Sequence, residues 1–420
     1  MKDTNQWKLT FFQFWFTQAL SLIGSGLASF SVIWWITKTT GSSTILATVT
    51  LATLLPGILI GPIAGALVDQ LNRKWIMIIA DAVSALLALL LVALFWTNSI
   101  QLWHIIVINI LRTLASTFQF PAVQSSTSLM VPKEYLTRVA GLNQALQGAS
   151  MIATPPLGAL LLSLLPIHVI LGIDVLTAVI AICLLFFILI PQPPAQQAIT
   201  HIPTTVWQDM LAGFTFLRQW SALINIMFIA ALLNLVLIPA FTLVPILVTQ
   251  YFYGSVFQLG WINAAYGFGI VGGGALLGVW GGFKRRIHTS LFGLAGLGIG
   301  CLMIGSSSRE AYWIAVIGMA LVGIMNAFAN GPFFAILQST VPPEMQGRVF
   351  TVLMSVSMAA APIGLALAGP LADWLGVQVW YMLSALICGC IVVGIMLNPA
   401  ILHLEEKQID LKAMAEANTG

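Results

Sequence analysis

Apolar runs long enough to cross a bilayer follow one another almost end to end along this chain, and no other feature limits its fold so strongly. A helix rises ~1.5 Å per residue, so about 20 apolar residues span the ~30 Å hydrocarbon core. Inside that core every backbone N–H and C=O must be satisfied within the protein, which leaves helices as the structure for such runs. Only 7% of the 420 residues are charged and 59% are hydrophobic, against about one quarter and about one half in a water-soluble domain. A soluble globular protein is excluded, and an all-α polytopic membrane protein is expected. Broken at charges, prolines and small polar clusters, the runs fall near residues 9–36, 43–68, 75–97, 102–125, 139–165 and 167–190. A second set falls near 221–249, 257–280, 289–306, 312–337, 349–370 and 375–397. The first run follows Lys8 and is too long for the apolar region of a signal peptide, so it reads as a retained first span.

The sets are divided by "PQPPAQQAITHIPTT", Pro191 to Thr205, the proline-rich polar linker of the chain. The domain organisation expected is an N-terminal six-helix bundle at 1–190, a cytoplasmic linker with a surface helix at 191–219, a C-terminal six-helix bundle at 220–397 and a cytoplasmic tail at 398–420. The surface helix rests on Val206, Met210, Phe214 and Leu217 at near-helical spacing, and an early start of the seventh span remains an equal reading. Orientation follows from the 16 Lys and Arg. With the odd-to-even loops outside, only Lys38 and Arg309 lie there, Arg112 lies within a span, and the remaining thirteen lie on the opposite face. Positive-inside bias places both termini in the cytoplasm.

The two halves repeat one another. "VPKEYLTRV", Val131 to Val139, joins spans four and five, and "VPPEMQGRV", Val341 to Val349, joins spans ten and eleven. The same offset carries Lys74 onto Lys284. Two pseudo-symmetric six-helix bundles are therefore expected.

Three charged residues lie deep in spans: Asp81, ~10 Å from the cytoplasmic side, Arg112, ~15 Å in, and Asp174, ~10 Å from the outside. Each costs ~2.5–3.5 kcal/mol on insertion scales and needs a partner or water. Asp81 and Arg112 fall on adjacent antiparallel spans at similar depth, so an ion pair between them is expected. It serves either structure or proton coupling, with the carrier open between Asp81 and Asp174. The second half offers amides among aromatic and methionine residues instead. Asn234, Asn263, Tyr266, Asn326, Asn330 and Phe334 outline a largely apolar cavity suited to a bulky lipophilic ligand, although each taken singly is the kind of residue that packs helices. Glycine stripes at Gly57, Gly61 and Gly65 and at Gly269, Gly273, Gly274 and Gly278 allow close helix approach. The four cysteines, Cys183, Cys301, Cys388 and Cys390, sit in apolar runs, so neither disulfides nor a metal are expected. There is no GxxxxGK[ST], HExxH or GxSxG motif, so the sequence supports no ATP-driven or hydrolytic chemistry and no cofactor.

After span two, "GALVDQLNRKW" resembles the loop signature of the major facilitator superfamily, with Gly65, Asp69, Arg73 and Lys74 matching and Gln70 and Asn72 departing from it. Asn72 stands where that signature has glycine and tolerates the left-handed turn glycine would make, so the loop itself is expected to survive. The resemblance implies a cytoplasmic latch: Asp69 would cap the start of span eleven beside Arg348, with Arg73, Lys74, Glu134, Arg138 and Glu344 on the same face. "GASMIATPPLGA" in span five partly resembles the superfamily's antiporter signature through Pro155 and Gly158. The stretches "NQWKLTFFQFWFTQALSLIGSGL", "DQLNRKWIMIIADAV", "FPAVQSSTSLMVPKEYLTRVAGLNQALQ", "GIDVLTAVIA" and "QGRVFTVLMSVSMAAAPIGLALAG" together resemble the macrolide-efflux group of bacterial drug:proton antiporters. That resemblance implies two parallel halves around a midplane site, and export of a bulky lipophilic drug in exchange for protons across a bacterial inner membrane. Expected partners are a lipophilic small molecule, protons and the lipid bilayer, with no nucleic acid and a monomeric chain. An exporter of an endogenous metabolite such as a siderophore, or an accessory membrane subunit, stands as the alternative.

Overall fold

In the computed structural model, the described residues are 6–191, 221–341 and 343–398. They form twelve long helices and, among the described residues, no strand. In chain order these are α1 (Gln6–Thr40), α2 (Ser43–Gln70), α3 (Arg73–Trp96), α4 (Leu102–Met130), α5 (Leu136–Leu164) and α6 (Ile167–Phe187). There follow α7 (Ser221–Thr242), α8 (Val256–Trp280), α9 (Arg286–Ser306), α10 (Tyr312–Thr340), α11 (Pro343–Leu375) and α12 (Val377–Met396). All twelve are long and apolar enough to cross a membrane. The expected surface helix around Val206 to Leu217, the linker and the tail lie outside the described residues.

The chain divides into two compact units, residues 1–41, 48–205 and 254–260 in one and 42–47, 206–253 and 261–420 in the other. In the first unit α6 packs on both α1 and α3, α3 also packs on α4, and α1 on α5. Gly24 on α1 makes the first of these contacts close, because a Cβ there would meet the Thr177 side chain of α6. A cluster of Phe11, Phe14, Val68, Met77, Ile78, Leu185 and Ile188 fills the end of the unit where α1 begins and α6 finishes.

In the second unit α9 packs on α10 and α12, and α7 on α11. Pro239 interrupts the hydrogen-bond ladder of α7, since proline has no N–H to donate. Trp380 Nε1 from α12 donates to the Val236 carbonyl at 2.9 Å, and the Tyr381 hydroxyl to that of Ala240 at 2.8 Å, so carbonyls beside the break are met from a neighbour. Beyond the break the chain continues through a helical turn, Val244–Ile246, and a wider π turn, Leu247–Tyr251. Gly269 and Gly273 of α8 lie directly on the α10 backbone, a Cβ at either meeting the Ala320 or Ile324 carbonyl. A Cβ at Gly61 or Gly65 of α2 would meet nothing within 4 Å among the described residues, and one at Gly57 would make only ordinary contact with Thr117. At Gly376, φ is 91°, a left-handed geometry that lets one residue link α11 to α12.

Asn72 makes no use of the left-handed turn it would tolerate. Its backbone is extended at φ −69° and ψ 109°, and its side chain caps α3 by accepting from the N–H groups of Lys74 and Trp75. The asparagine is used for its oxygen, as an N-cap, rather than for tolerance of a left-handed turn.

Candidate functional site

The three intramembrane charges all fall in the first unit, but they pair differently from the expectation. Arg112 Nη2 on α4 contacts Asp174 Oδ2 on α6 at 2.6 Å, and Ser25 Oγ on α1 donates to the other Asp174 oxygen at 3.0 Å. Asp81 on α3 is not the arginine's partner. Depth along adjacent spans made that pairing plausible, but the rotation of the helices turns Arg112 toward α6. Asp174 thus has both oxygens engaged while its side chain is 4% exposed and that of Arg112 is 15% exposed.

Asp81 is buried and holds a single hydrogen bond, Gln119 Nε2 donating to Oδ1 at 2.7 Å. Its second oxygen, Oδ2, is buried with no hydrogen-bond partner among the described residues. The two carboxylates therefore sit in contrasting environments, one neutralised by a guanidinium and one met only by a neutral amide.

Beside this network lies a cavity of about 330 Å³ framed by α1, α4 and α5. Its wall is rich in uncharged hydrogen-bonding groups, among them Gln18, Gln119, Gln124, Asn143 and Gln147, with Trp15 and Phe120 as aromatic surface. Trp15 Nε1 donates to Asn143 Oδ1 at 3.0 Å, which fixes one corner of the wall. Ser25 and Gln119 both line this cavity, so each buried carboxylate is one hydrogen bond away from it. Sequence reasoning missed this cavity. The signal was present as isolated amides within apolar spans, such as Gln119 in "TFQF", but an uncharged amide stands out far less than a charge.

In the second unit a smaller and more apolar cavity of about 200 Å³ lies among α7, α9 and α10. Asn234, Asn326 and Asn330 line it. Asn263, Tyr266 and Phe334 do not: Tyr266 packs at a tilt on the lining residue Phe241, 4.7 Å between centroids, and Phe334 meets the lining residue Phe333 edge-on at 5.7 Å. Asn234 Nδ2 donates to the Ala230 carbonyl, and Asn330 Nδ2 to the carbonyl and the side-chain Oδ1 of Asn326, in each case the residue one turn earlier. Ser290 Oγ in the same wall is buried without a partner among the described residues.

At the start of α3, Arg73 Nη1 donates to the Ser125 carbonyl at 3.1 Å, and Lys74 Nζ to the Phe186 carbonyl at 2.8 Å near the end of α6. A lysine placed there complements the negative end of the α6 dipole. Glu134 is exposed, and Arg138 lies over the Tyr135 ring at 5.6 Å. The side chains of Asp69, Glu344 and Arg348 lie outside those described, and with them the Asp69 cap on α11.

The profile of a family described as a transmembrane secretion effector, a branch of the major facilitators, matches residues 7–418. The chain belongs to that family. This facilitator is 33% identical to macrolide efflux protein A of Streptococcus pyogenes over 413 residues, 98% of the chain and 100% of that protein. It is 25% identical to the multidrug efflux pump Tap of Mycobacterium tuberculosis over 405 residues, 93% of each. Among solved structures it superposes on the nucleoside transporter NupG with a TM-score of 0.70 at 12% identity, covering 93% of this chain and 98% of that one. A bacterial homologue of the iron transporter ferroportin gives a TM-score of 0.70 at 15% identity, with 92% and 98% covered. Likenesses at this identity establish the twelve-helix facilitator fold, and this facilitator is a multi-pass membrane protein.

Proposed function

We propose that this facilitator exports bulky lipophilic compounds of the macrolide or multidrug kind, driven by proton entry through alternating access. It would act in a bacterial inner membrane with both termini in the cytoplasm. The efflux relatives support the direction of transport and the substrate class. The observation that carries the coupling is Asp81: a buried carboxylate whose Oδ2 has no partner among the described residues and whose Oδ1 is met only by Gln119. An isolated ionised carboxylate is expensive to keep out of water, and binding one proton removes that cost. A group of this kind can cross the cycle in two protonation states. Asp174 has a fixed role in this reading, because Arg112 stays charged and holds its oxygen at 2.6 Å. Each cavity supports the reading by its own lining: that of the first unit offers amide hydrogen bonds to polar groups, and that of the second an apolar wall to hydrophobic ones. On the cytoplasmic face, Asp69 with Arg348 remains the proposed latch, with Arg73, Lys74, Glu134, Arg138 and Glu344 around it.

The test is substrate-driven pH change in proteoliposomes holding the purified chain. A macrolide gradient should move protons in the wild type and fail to do so in Asp81→Asn. Full coupled transport by both Asp81→Asn and Asp174→Asn would end the carboxylate-coupling reading.

A further inference from the structure

Gln119 occupies two places at once. Its side chain forms part of the cavity wall, and its amide nitrogen holds Asp81 at 2.7 Å. We propose that Gln119 is an amide switch: the proton on Asp81 sets which end of the Gln119 amide faces the cavity, and thereby which kind of substrate group the cavity accepts. The proposal rests on Asp81 as the proton carrier.

The reasoning starts from hydrogen-bond capacity. An ionised carboxylate only accepts, so it must be met by the NH₂ end of an amide, which leaves the Gln119 Oε1 atom for the cavity. A protonated carboxyl has an O–H that needs an acceptor. Placed on Oδ2 that hydrogen would be buried with nothing to receive it, since Oδ2 has no partner among the described residues. Placed on Oδ1 it points at Gln119, which accepts it through Oε1 once the amide turns over. The two ends of an amide are nearly the same size, so the reversal changes little in packing. Its NH₂ then faces the cavity. Ionised Asp81 presents an acceptor to the substrate, and protonated Asp81 presents a donor.

Other ionisable groups near α3 do not take this role. On the helices packed against it these are Arg112 and His104 of α4 and Asp174, His168 and Cys183 of α6. Arg112 and Asp174 are engaged with each other. His104 Nδ1 accepts from the Gln101 N–H at the start of α4, His168 stacks on Trp96 at the far end of α3, and Cys183 is exposed. On α3 itself, Arg73 and Lys74 donate to the carbonyls of Ser125 and Phe186. Ser25 offers no comparable reversal, because the Asp174 it serves is already held by Arg112.

A substrate that donates hydrogen bonds, such as a hydroxyl-bearing macrolide, should bind the ionised form better and lose affinity as Asp81 takes up a proton. Linkage makes the effect reciprocal, so binding such a substrate expels the proton, as exchange requires. Gln119 is in this sense a positioning residue that transmits the state of Asp81.

The experiment uses the full chain in liposomes and a tritiated macrolide as probe, with equilibrium binding measured from acid to neutral pH. Wild-type affinity should fall on acidification by a factor within the ~5- to ~150-fold range typical of coupled sites. Gln119→Met, similar in length but without an amide, should bind with a flat pH profile, and Gln119→Glu should move the fall to higher pH. A wild-type profile in Gln119→Met overturns the switch. If Asp81→Asn also kept that profile, the carrier assignment has failed as well; if Asp81→Asn flattened it alone, only the switch has failed. An infrared readout decides the matter without bound macrolide. The acid-minus-neutral difference spectrum should contain a carboxyl band absent from Asp81→Asn, and in Gln119→Met it should shift upward as the carboxyl loses its acceptor. An unshifted band refutes the switch, and no Asp81 band refutes the carrier.

Discussion

Removing one member of the Arg112–Asp174 pair should damage the protein far more than removing both. The two atoms lie 2.6 Å apart on side chains 15% and 4% exposed, so either charge left alone is left largely out of water. Breaking a buried pair from one side typically costs ~3–5 kcal/mol, whereas replacing both partners with apolar residues is often neutral. The two single changes should also differ. In Arg112→Met, Asp174 keeps the Ser25 hydrogen bond at 3.0 Å and can bind a proton to shed its charge. In Asp174→Leu, Arg112 cannot lose its proton and keeps the ~2.5–3.5 kcal/mol penalty of a lone arginine in a span. The expected order of stability is the wild type and Arg112→Met/Asp174→Leu near one another, then Arg112→Met, then Asp174→Leu. The assay is the thermal midpoint of the detergent-purified chain, followed by size-exclusion recovery after heating. A double variant as unstable as the summed singles, or Arg112→Met falling below Asp174→Leu, would refute the reasoning.

Three further outcomes concern other parts of the molecule. Asn72→Ala removes the oxygen that accepts from Lys74 and Trp75 and should cost ~1 kcal/mol, while Asn72→Gly should cost only a few tenths; thermal midpoints compare the two. Gly273→Val, whose Cβ would meet the Ile324 carbonyl, should lower the yield of monodisperse protein and cost ~1–3 kcal/mol, whereas Gly61→Ala should be neutral or better, a contrast that expression screening reads directly. Asp373 accepts from the N–H groups of Ser43 and Thr44, at 2.6 and 3.0 Å, and from the Ser42 hydroxyl at 2.8 Å, so Asp373→Ala should fray the start of α2 at ~0.5–2 kcal/mol. Faster alkylation of a cysteine placed at Ser42 in the Asp373→Ala background would show the fraying, and an unchanged rate would count against it.

Span positions were legible in the sequence because hydropathy summed over about 20 residues reports burial in lipid whatever the tertiary contacts. Helix bounds accordingly fall within a few residues of the apolar runs, as at 102–125 against Leu102–Met130. Pairing was less legible. Counting residues gives depth along a helix and says nothing of its rotation, so Asp81 and Arg112 matched in depth while Arg112 actually turns to α6. Ser25 and Gln119 were invisible for a different reason. A hydroxyl and an amide are inexpensive enough in a helix to occur by chance, and their importance arises only when folding sets them beside Asp174 and Asp81. Asn263, Tyr266 and Phe334 show the converse: residue type suited a cavity, yet none of the three lines this one.

The two glycine stripes also bear on how a chain like this can diverge. A side chain at Gly269 or Gly273 would run into the α10 backbone, so neither position can change unless α8 and α10 shift apart. Gly61 and Gly65 impose no such restriction. Under selection for new compounds, substitutions should therefore be recovered at Gly61 and Gly65 while Gly269 and Gly273 stay silent. A saturation library recovered after drug selection would carry that asymmetry as a readable record.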